Sequence, residues 1–253
     1  MSAQAILKRF QKAKNLKNQN WYSHMRECYE YASPQRETFF DYTPGEKKNT
    51  TIYDDTAVVA LETFASRLQS YMTPPYQQWA LISLGSRVPN EVGEQRVTFE
   101  NQDMTVNEAL ELTTDIIFDY IHRSNFDTQI YPALLDLGVS TGNITVEYDA
   151  VQDKLVFNCI PMPQIYLEPG PNGTIDNHYR EWEVELGHIE RLFPDAQVSD
   201  ELQRQIDSSP TKKQMFIEGC IYNGVNYRYV VIDKSRKKFL IDREDESTPF
   251  ISF

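Results

Sequence analysis

The chain has 253 residues, 40% of them hydrophobic and 12% aromatic, enough for a sizeable core and too apolar for wholesale disorder. Its 37 acidic and 25 basic residues leave a net charge of −12, which excludes a broad phosphate-gripping coat as its overall character. No apolar run approaches the ~20 residues of a membrane-spanning helix, and no apolar segment follows Lys8 and Arg9 as a secretory signal would require.

Residues 1–26 carry Lys8, Arg9, Lys12, Lys14, Lys17 and Arg26 and no acid. Apolar Ile6, Phe10, Ala13 and Leu16 recur at helical spacing, which predicts a basic amphipathic helix continuing through Trp21, Met25 and Tyr29. Two roles are open for it. It is a surface helix packed on its own domain, or it docks an acidic partner or DNA phosphate through Lys8, Arg9, Lys12, Lys14 and Lys17. Residues 32–51, with Pro34 and Pro44-Gly45, read as a loop.

The clearest helix follows. Ala57, Leu61, Phe64, Leu68 and Tyr71 fall on one face, Asp54 or Asp55 supplies the N-cap, and Pro74-Pro75 enforces the stop. A short strand is expected at 79–84. Between 91 and 120 stand Glu91, Glu94, Glu100, Asp103, Glu108, Glu111, Asp115 and Asp119 against Arg96 alone, with a helical stripe at Val106, Leu110 and Ile117. A further helix is expected around Phe126, Ile130, Leu134 and Leu137, capped by Asn125 and kinked or started late by Pro132.

After Gly138 the hydrophobic period becomes two. Strand pairs are expected at 144–157 and 165–184, the second around Pro169-Gly170-Pro171-Asn172-Gly173. Short helices at 187–193 and 200–207 precede a meander over 215–241 with Asn223-Gly224 at its first turn. The fold class is therefore α+β, a helical N-terminal half followed by a β-rich meander. The organisation is a basic helical segment over 1–31, a mainly helical part over 32–141 and a β-rich part over 142–253. Thr248-Pro249-Phe250-Ile251-Ser252-Phe253 looks like the start of a strand without a polar tail, and the expectation is a chain cut there rather than finished.

No catalytic motif stands out: neither a phosphate-binding loop, a dinucleotide fingerprint, a zinc-protease pair nor a nucleophile elbow is present. His24, His122, His178 and His188 share no metal-ligand spacing. Cys28, Cys159 and Cys220 suggest reduced, mostly buried thiols in a cytoplasmic compartment rather than disulfides or zinc ligands. Asp54-Asp55 and Asp153-Lys154 are weak candidates for a divalent-metal site, and helix capping explains Asp54 with less assumption. No cofactor is implied.

The stretch from Ile52-Tyr53-Asp54-Asp55-Thr56-Ala57 through Ala60-Leu61, Ala65-Ser66 and Leu68-Gln69-Ser70 to Met72-Thr73-Pro74-Pro75, with Trp79 beyond, resembles the portal, or head-to-tail connector, proteins of short-tailed phages. Gly142 with Ile144-Thr145-Val146-Glu147-Tyr148, Ile160-Pro161-Met162 with Tyr166, and Tyr179-Arg180-Glu181-Trp182 extend the resemblance over roughly 20–253. It implies a packing scaffold in which Tyr53, Asp54, Thr56, Ala57, Leu61, Ala65, Leu68, Thr73, Pro74, Pro75 and Trp79 are structural. It also implies a ring of twelve subunits at one capsid vertex, a channel for double-stranded DNA, and docking of major capsid protein, terminase and tail adaptors. This chain would hold the wing, with stem and clip beyond 253. The basic segment 1–26 and the acidic span 91–119 would be opposite faces of such subunit contacts, or would meet the capsid shell. An acidic metal-dependent nuclease or hydrolase, and a monomeric adaptor for a basic partner, are the competing readings.

Overall fold

The structure is a computed structural model that describes residues 1–34, 36, 53–100 and 102–253. The N-terminal helix α1 (Ala3–Asn20) starts where the Ser2 side chain accepts a hydrogen bond from the Ala5 amide. Its inner positions Ala3, Ile6, Phe10, Ala13 and Lys17 are spaced by threes and fours and are buried. The helix breaks at Trp21 and resumes as α2 (Tyr22–Ala32), so the expected continuation through Met25 and Tyr29 holds with one interruption. The loop read at 32–51 lies outside the described residues apart from 32–34 and Arg36; of these, Ala32 closes α2.

Helix α3 (Thr56–Met72) ends before Pro74-Pro75. A single turn, α4 (Asn90–Gly93), precedes a hairpin of β1 (Arg96–Phe99) and β2 (Gln102–Thr105) that the acidic composition concealed. Helix α5 (Val106–Arg123) opens with a reciprocal cap between Thr105 and Glu108. Helix α6 (Phe126–Val139) runs through Pro132, so of the kink or late start expected there the late start does not occur. Asn125 makes no side-chain cap bond; its amide instead brackets Phe157, donating to the carbonyl and accepting from the N–H at 2.7 and 2.8 Å.

Strands β3 (Asn143–Asp149) and β4 (Lys154–Cys159) form a hairpin, and β10 (Phe250–Ser252) joins β3 antiparallel, giving the order β10-β3-β4. The larger sheet has the order β5-β6-β7-β8-β9, from β5 (Ile165–Pro169), β6 (Ile175–Glu185), β7 (Lys213–Tyr222), β8 (Tyr227–Asp233) and β9 (Lys238–Asp245). Between β6 and β7 lie α7 (Ile189–Leu192) and α8 (Asp200–Ser208). All pairings are antiparallel, so the α+β class is met: helices first, a meander after.

Alternation across the large sheet builds two cores. Tyr179, Ile217, Ile221, Val230 and Ile232 face α1 and enclose Ile6 and Phe10. Full burial of those two side chains is worth about 2 kcal/mol each. Phe216, Cys220, Tyr229 and Val231 point the other way, onto Tyr29, Phe193, Leu202 and Phe250. A third core sets α3 and α6 against β3 and β4 through Ala65, Ile130, Ala133, Leu134, Ile144 and Phe157. Gly138 makes that approach possible: a Cβ there would stand 2.3 Å from Leu61 Cδ1.

Candidate assembly surface

The cations of the first helix divide by the side they face. Lys8 and Lys12 point to solvent. Arg9 donates to Glu168 at 2.9 Å, and Glu168 also accepts from Asn177 and the Tyr179 hydroxyl. Lys14 donates to Glu181, a carboxylate only 7% exposed that Lys234 reaches from the other side at 2.5 Å. Burial alone would raise the Glu181 carboxyl, but hydrogen bonds from Lys14 and Lys234 hold it below the ordinary range.

Lys17, expected among the docking cations, is turned inward. Its ammonium donates to the carbonyls of Met162 and Ile165 and lies 4.6 Å from the Tyr166 ring centroid. Burial, assisted by the charge of Lys14, pushes it down to about 7. Three of the five candidate cations therefore hold α1 on its own sheet, and Lys8 and Lys12 remain as a pair one turn apart on the outer face. Missing from the sequence reading were the acceptors Glu168, half-buried, and Glu181, buried, a hundred and more residues away; their place on strands was not marked by any local pattern.

The signature segment around α3 also divides. Leu61 and Ala65 are buried and Leu68 is partly so, packed against α6. Asp54 accepts from the Thr56 hydroxyl and amide at 2.5 and 2.8 Å, which lowers its carboxyl. It thus closes the N-terminus of α3 in place of Asp55, which makes no side-chain cap bond. The Thr73 hydroxyl is buried without a partner, and Pro74 is half-buried where Pro75 is exposed. Trp79 packs edge-on to Phe118 at 5.3 Å and stacked on Phe126 at 5.9 Å.

The rest of that segment faces out. Tyr53 is 97% exposed and Tyr71 85%, and Ala57 and Phe64, expected on the inner face of the helix, are solvent-facing too. Residues 78–85 form no regular element, and among the described residues no strand pairs with them, so the strand expected at 79–84 has no ladder. Two polar contacts lay this segment along α5: Gln78 donates to Asp115 at 2.7 Å and the Ile82 amide donates to the Thr114 hydroxyl at 3.1 Å. Leu81 and Ile82 remain exposed. Tyr76, 82% exposed, sits at φ 62°, a left-handed conformation unusual for an aromatic residue.

A second apolar feature lies at the α1–α2 corner. A cleft of 520 Å³ is lined by Leu16, Trp21, Met25, Val139, Ile165 and Leu167, with Leu16 and Trp21 more than half exposed.

The two acidic metal candidates are engaged elsewhere. Asp54 serves the helix start, and Asp153 accepts from the Tyr148 and Tyr120 hydroxyls, which lower it. Among the described residues no three His, Cys, Asp or Glu side chains are grouped so as to hold a metal ion. Among them, too, no helix is long and apolar enough to cross a membrane.

Packing elements, internal ion pairs and outward apolar patches define a scaffold. The chain belongs to the family described as bacteriophage head to tail connecting protein, whose model matches residues 3–252. It is similar to the "Probable portal protein" of Bordetella phage BPP-1, 23% identical over 194 residues, covering 75% of this chain and 32% of that protein. It is likewise similar to the "Portal protein" of Salmonella phage epsilon15, 21% identical over 239 residues, covering 92% of this chain and 40% of that protein. The chain thus spans two fifths or less of the length of the curated relatives it matches.

Proposed function

We propose that this chain is part of a portal: a ring of identical subunits, twelve in number, at one vertex of a phage capsid. Double-stranded DNA passes through the ring during packaging and ejection without sequence recognition. The major capsid protein, the terminase and tail adaptors dock on it, and no bond is made or broken by its side chains. In this reading 1–31 is a basic helical segment, 32–141 and 142–253 are the mainly helical and the β-rich parts of the portal's wing, and the protein resides in the virion after assembly in the host cytoplasm.

The observation that carries the reading is the family match over residues 3–252. The structure adds consistent features. Lys8 and Lys12 stay free on one helix face, while Glu111, Asp115 and Asp119 line an exposed face of α5. Net negative charge suits a wall past which a duplex slides rather than one that grips it. Sedimentation of the protein tests the reading: a particle of about twelve subunits supports it, and a species that stays monomeric at all concentrations supports the adaptor reading instead.

A further inference from the structure

Resting on the ring reading, we propose that the exposed Tyr76 knob seats in the α1–α2 cleft of the next copy of the chain. The acidic stripe of α5 then faces Lys8 and Lys12 of that copy.

Four observations carry this contact. Tyr76 is an exposed aromatic side chain held out by a left-handed backbone, a conformation that persists only where its surroundings over-determine it. The residues that do so are nearby: the Tyr76 ring lies 6.3 Å from His122 on α5, and Trp79 is clamped by Phe118 and Phe126. The cleft is open and mostly apolar, and its 520 Å³ exceeds what one aromatic side chain needs. Knob and cleft lie on different elements of the same chain, so the contact is heterologous, the type that closes into rings.

The flanking charges are opposite in sign and similar in spacing. On α1, Lys12 and Lys8 precede Leu16, a cleft residue, by one and two turns, about 6 and 12 Å along the axis. On α5, the Tyr76 ring lies against His122, and Asp119 and Asp115 precede that residue by about one and two turns, about 4.5 and 10.5 Å along the axis. Apolar feature and charge row are therefore in register on both faces, which favours this partner over a basic or neutral one.

Cross-linking tests the contact. His24, exposed at the cleft, and Gln77, exposed next to the knob, are each replaced by cysteine in a Cys28→Ser background of the complete gene product. A short bis-maleimide is then added. The expected result is a ladder of covalent multimers with both cysteines present and at most a trace with either alone. Tyr76→Ala, at a surface position, should abolish the ladder and weaken self-association about tenfold or more. Lys8→Glu with Lys12→Glu should weaken it too, and Asp115→Lys with Asp119→Lys should restore it. Annular particles that give no ladder above the single-cysteine controls overturn this contact and leave the ring intact. A wild-type protein that never self-associates overturns the ring reading and this contact with it.

Discussion

Lys17 offers a sharp test of how the basic helix is used. A docking cation would be charged and free, whereas here the amine is buried over Tyr166 and pushed down to about 7 from an ordinary 10.5. The folded state then binds fewer protons than the unfolded chain between those two values, so stability must rise with pH across that window. From pH 7 to pH 9 the unfolded lysine stays protonated while the folded one loses its proton, and integration gives a gain of about 2 kcal/mol. Lys17→Met removes the titration and keeps most of the packing. The assay is urea unfolding of wild type and variant at pH 7, 8 and 9, followed by circular dichroism. The quantity of interest is the difference between the two proteins, because cysteines and tyrosines titrate alike in both. The gap should move in favour of wild type by about 2 kcal/mol over the range. A gap that stays constant with pH would refute the buried-amine account and return Lys17 to the docking face.

The remaining predictions concern Asp136, Gly138 and His178. Asp136 is fully buried and accepts from Arg36 Nε at 2.6 Å and the Tyr29 hydroxyl at 2.8 Å, so Asp136→Ala should cost about 3–5 kcal/mol in thermal or urea unfolding. Gly138→Ala would push a methyl into Leu61 and should destabilise by about 1–3 kcal/mol, a loss partly relieved when Leu61→Ala is added. His178 is buried with neither ring nitrogen partnered and stacks on Phe250 at 5.4 Å; burial lowers it to about 4. The unfolded chain therefore takes up the proton first, and stability present above pH 6.5 should fall as pH drops toward 4, by about 3 kcal/mol at most. His178→Phe should flatten that acid limb of the stability profile, and an unchanged limb would remove His178 as its cause.

Much of the architecture was legible because it rests on local periodicity. Ile6, Phe10 and Ala13 on α1 mark element type and inner face directly, and the alternation through Ile144, Val146 and Tyr148 marks a strand, although Tyr148 at its end is exposed. What escaped depends on contacts distant in sequence. The hairpin of Arg96–Phe99 with Gln102–Thr105 sits in a run of acids, where short strands leave a weak signal. The segment at 79–84 has strand-forming residues, but a strand needs a partner and none of the described residues provides one. Asn125 reads as a helix cap by residue type, yet its amide is captured by the edge of Phe157 on β4. The candidate surface was half legible. Charge segregation between the first 26 residues and the span 91–119 is visible in composition. Which cations are consumed by Glu168 and Glu181, and which aromatic residues stay outside, follows only from the assembled sheets.

The central claim is that copies of this polypeptide encircle a passage for DNA. Electron microscopy of the purified full gene product examines it most directly. The account predicts end-on views of annuli with a stain-filled hole and about twelve-fold rotational symmetry. Solid globular particles, or isolated protomers under conditions where the protein remains folded, would contradict it.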